Sequence, residues 1–148
     1  MLVTRSTAKQ VHLECNRLKS KVRFGHAPDA HHLFDEWMRL DESLSVETPH
    51  AKCRCYERQC RVLLDAICDE LVPTQWRCAC LDQINKPLRK LLKLSKTDEQ
   101  QRDYLGLTRE IRVCSHYVQQ SLQSQPKGDT YLVEKTLGMI AQKTNQNR

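Results

Sequence analysis

Apolar residues return along this chain every three or four positions, the period that gathers them on one side of an α-helix. The first stripe is Val11, Cys15, Leu18 and Val22, closed by Gly25, with Thr7 and Gln10 before it at the spacing of a capping box. Asp29 is placed to cap a shorter second helix carrying Leu33, Phe34, Trp37, Leu40 and Leu44. Thr48 followed by Pro49 opens a long third helix whose face is Cys53, Tyr56, Cys60, Leu63 or Leu64, Ile67 and Leu71. After the break at Val72-Pro73-Thr74, a fourth stretch carries Trp76, Cys80, Ile84, Leu88 and Leu91. Pro87 must kink or divide it, because proline has no N–H to bond four residues back, and Asn85 is available to cap a restart. Thr97 and Gln100 repeat the capping-box spacing ahead of Tyr104, Leu107, Ile111, Cys114, Val118 and Leu122. Past Pro126-Lys127-Gly128, Asp129 heads a last stripe of Val133, Leu137, Ile140 and Ala141.

The short connections between these stripes favour antiparallel neighbours. The expected fold is all-α: a single-domain antiparallel bundle of about five to six helices over residues 1–148, frayed at about 1–6 and 143–148. Four glycines and five prolines agree, since an all-β chain needs more residues able to make tight turns. The N-terminal stretch lacks the apolar core of a secretory signal, and no apolar run approaches the roughly 20 residues of a membrane span. A cytoplasmic location is expected, or a nuclear one in a eukaryote, with no membrane partner.

In that compartment the eight cysteines are not presumed to be disulfides. The pairs Cys53/Cys55 and Cys78/Cys80 project about 200° apart in a helix, so neither can close on one ion. Metal-compatible spacing occurs in mixed form, His12 with Cys15 and His50 with Cys53, which would make a Cys2His2 zinc site if their helices packed side by side. The stronger expectation is that Cys15, Cys53, Cys60, Cys80 and Cys114 fill the core as small hydrophobes, with no metal and no cofactor. A hairpin turning near residue 73 would bring Cys68 level with Cys78, where a disulfide is conceivable.

No phosphate loop, nucleophile elbow, zinc-protease motif or dinucleotide fingerprint is present, and no enzymatic activity is expected. His26, His31 and His32 read as a solvated loop and first turn, and Asp35-Glu36 and Asp41-Glu42 as the wet side of the second helix.

Charge changes this picture. Residues 1–28 hold six Lys/Arg against one acid, 29–49 one against six, 50–73 four of each, and 74–97 six against one, within a net charge of +6. Lys86, Arg89, Lys90, Lys93 and Lys96 fall within an arc of about 120°, with Leu88, Leu91 and Leu92 opposite. The basic residues of the first helix, Arg17 and Lys21 with Lys19 and Arg23, would enlarge this patch if the two helices were neighbours. The expected role is a non-enzymatic regulatory or accessory factor acting on nucleic acid, or in a nucleic-acid-bound complex, through electrostatic contact. The alternatives are a protein-only adaptor, inhibitor or chaperone whose basic face meets an acidic partner, and a zinc- or thiol-dependent regulator. The acidic second helix could itself cover part of the basic patch.

Overall fold

The computed structural model describes residues 2–45 and 47–124, the side chains of 2–4 aside. The stripe headed by Asp129 lies outside the described residues. Six helices follow in order among the described residues: α1 (Leu2–Phe24), α2 (His32–Ser43), α3 (Pro49–Cys68), α4 (Thr74–Gln83), α5 (Asn85–Leu94) and α6 (Asp98–Ser124). The all-α class is therefore as expected. The chain divides into two units, Met1–His116 and Tyr117–Arg148, and the architecture below is that of the first.

Helix α3 is the central element, packed against α1, α2, α4 and α5. Pairing along its length fixes the directions. Arg23 of α1 meets Asp69 just beyond α3, and Arg61 and Cys68 of α3 meet Glu110 and Cys114 of α6, so α1, α3 and α6 run one way. Gln59 and Tyr56 reach Met38 and Glu42 of α2, while Cys53 and Tyr56 lie beside Leu94 and Lys90 of α5, so α2 and α5 run the other way. This is the antiparallel bundle that the short connections favour.

Local signals explain most of the boundaries. The Thr48 hydroxyl accepts from the Ala51 N–H at 3.0 Å, with Pro49 in the first turn. The Thr97–Gln100 box is reciprocal: the Gln100 N–H donates to the Thr97 hydroxyl at 3.2 Å and the Thr97 N–H to Gln100 Oε1 at 3.1 Å. Thr7 and Gln10, by contrast, lie inside α1, which begins at Leu2. Asp29 does not cap α2 either: the cap position is His31, and Asp29 instead accepts from Gln75 at 3.1 Å. The fourth stretch divides at Ile84, three residues before Pro87, and α5 starts without a side-chain cap from Asn85.

Two further expectations are corrected. Leu71 is 94% exposed, because Asp69 turns to an extended conformation, accepts from the Leu71 N–H at 3.0 Å and ends α3 at Cys68; Val72 enters the core in its place. Asp41 is not on the wet side of α2 but 6% exposed. At one end of the core Trp76 stacks on Phe34 with centroids 4.3 Å apart and donates its indole N–H to the Val22 carbonyl at 2.7 Å. His31 sits edge-on to both rings, and His26 stacks on Phe24.

Candidate functional site

Viewed along α5, the basic arc separates into two parts. Lys86 and Lys90 turn toward α2, where their ammonium groups meet Asp35 at 3.1 Å and Glu42 at 3.0 Å. These two acids are one heptad apart on α2, so an acidic helix already lies along this side of the basic one. Lys90 also sits over the Tyr56 ring, and the Tyr56 hydroxyl donates to the same Glu42 carboxylate. The bonds from Tyr56 and Lys90 hold the Glu42 carboxyl below its ordinary range, and burial followed by the Glu42 bond pushes the Tyr56 phenol upward.

Arg89 and Lys93 make up the rest of the arc on α5; Lys96, expected on the same helix face, lies past its end, because Ser95 turns to an extended conformation after Leu94. All three are exposed and without an ion-pair partner among the described residues. The leucines opposite them are not all inward. Leu91 is buried, Leu88 half-buried, and Leu92 is 50% exposed, beside Arg89 on the helical projection. The open part of α5 is thus two cations beside one leucine, with Lys96 following just past the helix.

The basic residues of α1 do not join this surface. Helix α1 packs on α2 and α3, not on α5. Arg17 is bonded to Glu14 and Arg23 to Asp69 at 2.9 Å, while Lys19 and Lys21 are half-exposed.

The zinc arrangement is not formed. His12 and Cys15 line a cleft of about 350 Å³ with Asp41, whereas His50 and Cys53 line a different one of about 430 Å³ with Thr97 and Gln100. No group of three or more His, Cys, Asp or Glu among the described residues is arranged to hold a metal ion. Cys15 is buried and donates to Asp41 at 3.8 Å, and Cys53 is buried beside Leu94. Cys60 and Cys80 are also buried, as their stripes imply, but Cys114 is only half-buried. Cys55, which no stripe includes, is fully buried.

Sequence reasoning missed the polar cluster that explains Cys55. The Asp41 carboxylate accepts from Arg58 at 2.9 Å, from the Cys55 thiol and the Gln59 amide at 3.3 Å each, and more distantly from Cys15. Burial, and then the adjacent Asp41 charge, pushes the Cys15 thiol up to about 11 and the Cys55 thiol to about 12. Both therefore stay protonated donors at neutral pH, which makes them structural groups rather than nucleophiles. The signal available in the sequence was the i, i+3, i+4 set Cys55, Arg58 and Gln59 on one helix facing an acid on another.

No helix among the described residues is long and apolar enough to cross a membrane. No protein-family model matches the chain, and neither a curated protein nor a solved structure is significantly similar to it.

Proposed function

We propose that this protein works without catalysis, as an adaptor or inhibitor that binds an acidic protein surface through Arg89, Leu92 and Lys93 of α5 and Lys96 just beyond it. The observation that carries this reading is the pairing of Lys86 and Lys90 with Asp35 and Glu42, in which α5 already accepts a helix bearing carboxylates one heptad apart. Arg89 and Lys93 are open cations on the same helix, and Lys96 follows it, so a second acidic segment would meet the same chemistry. Leu92 favours a protein over a phosphate backbone: an exposed apolar side chain beside cations gains from another side chain and nothing from phosphate.

Nucleic acid is the second reading, favoured by the net charge of +6 and the basic run in α1. With three open cations at and just past α5, phosphate binding there would have a logarithmic salt slope of only about 3. Affinity capture with the purified chain, with and without nuclease, separates the two. Retention of one acidic protein after nuclease, lost on Arg89→Glu with Lys93→Glu, supports the adaptor. Release by nuclease, with binding to unrelated DNA and RNA sequences alike, supports the nucleic-acid reading.

A further inference from the structure

The expectation for Cys68 named Cys78 as its neighbour, but α6 supplies a different one. The Cys68 thiol donates to the sulfur of Cys114 at 2.7 Å, joining α3 to α6 across a sequence separation of 46 residues. A disulfide bond is about 2.0 Å long, so little movement separates this contact from closure. Both sulfurs are reachable by a small oxidant: Cys68 is exposed and Cys114 half-buried, whereas Cys15, Cys53, Cys55, Cys60 and Cys80 are buried. We infer that Cys68 and Cys114 are a reversible thiol–disulfide pair that fastens α6 to α3 when the protein meets a peroxide.

The contact leaves either sulfur able to react first, with the other beside it. One of the two thiols loses its proton and its sulfur attacks one peroxide oxygen, the O–O bond breaks, and the departing hydroxide takes a proton to leave as water. That cysteine is then a sulfenic acid. The other sulfur loses its proton and attacks the oxidised one; the S–O bond breaks, the S–S bond forms and a second water leaves. Two thiols have together lost two electrons, and the peroxide has gained them. A dithiol reverses the step by exchange.

The consequence falls on α6. It lacks the close backbone approach that α3 makes to α1, α2, α4 and α5, and beside the buried Leu107 and Ile111 its polar side-chain ties to α3 among the described residues are this sulfur contact and the exposed Arg61–Glu110 pair. Exposed pairs hold weakly. A covalent link here restrains the unfolded chain over a long loop and holds the helix in the folded one.

The test treats the reduced full-length chain with stoichiometric hydrogen peroxide and maps its peptides without reductant. The expected result is one cross-linked pair containing Cys68 and Cys114, lacking two hydrogens, with a melting temperature raised by roughly 10 °C and restored by dithiothreitol. Cys78→Ser should leave both changes intact, and Cys114→Ser should abolish both. Recovery of Cys68 and Cys114 in separate peptides, as free thiols or as sulfonic acids, would overturn the inference, as would linkage of Cys68 to Cys78. Peptide mapping of the unmodified chain decides the matter even if a variant folds poorly.

Discussion

Asp41 and the open arc of α5 are both clusters of charge, and they use it in opposite ways. Asp41 is enclosed, with Arg58, Cys55, Gln59 and Cys15 turned toward one carboxylate. Arg89, Lys93 and Lys96 are exposed, and none of them makes an ion pair with a carboxylate among the described residues. In the first region charge is consumed by the fold, and removing it strands several donors. In the second it contributes little to folding and remains free for another molecule. Glu42, the neighbour of Asp41 on α2, stands between the two: it is tied to Tyr56 and Lys90 yet partly exposed. Charged residues in this protein are therefore distinguished by how many partners enclose them rather than by type.

The largest effect expected is that of Asp41→Ala, which leaves Arg58, Gln59 and two thiols without their acceptor. It should cost about 3 kcal/mol in urea unfolding, at the low end for a buried pair because Arg58 is 44% exposed. A loss under about 1 kcal/mol would erase the contrast with α5. Cys60→Ala, which empties a fully buried position without stranding a polar partner, should cost about 1 kcal/mol.

Glu42→Gln tests the intermediate case through pH. The carboxyl is lowered in the folded protein by Tyr56 and then Lys90, so its stabilisation is complete above the unfolded value of about 4.3. It is lost as pH falls through the lower native value. At pH 7 the variant should be less stable by about 1 kcal/mol, and the gap to the unmodified chain should close as the solution is acidified. A gap independent of pH would assign the loss to packing instead. The smallest stability effect belongs to Arg89→Glu with Lys93→Glu, expected within about 0.5 kcal/mol per site although binding is lost.

The fold was legible because helix periodicity and caps are local. The stripe in α1, the Thr48-Pro49 start and the Thr97–Gln100 box each lie within a few residues, and each is found in the structure. The errors arise where a distant partner overrides a local signal. Asp29 had the composition of a cap but binds Gln75 of α4, and Asp41 looked solvated until α3 supplied Arg58 and Gln59. The arc on α5 could be drawn from angles alone, whereas its division into a paired half and an open half depends on where α2 lies. The same holds for Cys114, whose stripe position implies burial and whose neighbour comes from 46 residues away.

The turn after α1 carries a consequence for ancestry. Gly25 has a φ of +60°, and a β-carbon built there would stand 2.8 Å from Cδ1 of Trp76, the indole whose N–H reaches back to Val22. Neither the backbone twist nor the space admits any other residue without displacing that ring. Descendants of this chain are free to exchange surface charges, and even core aliphatics of similar volume, while keeping the bundle. They are not free to alter Gly25 and Trp76 independently. A glycine ending the first helix, matched to a tryptophan in the fourth, would therefore outlast most of the surrounding sequence as a mark of common origin.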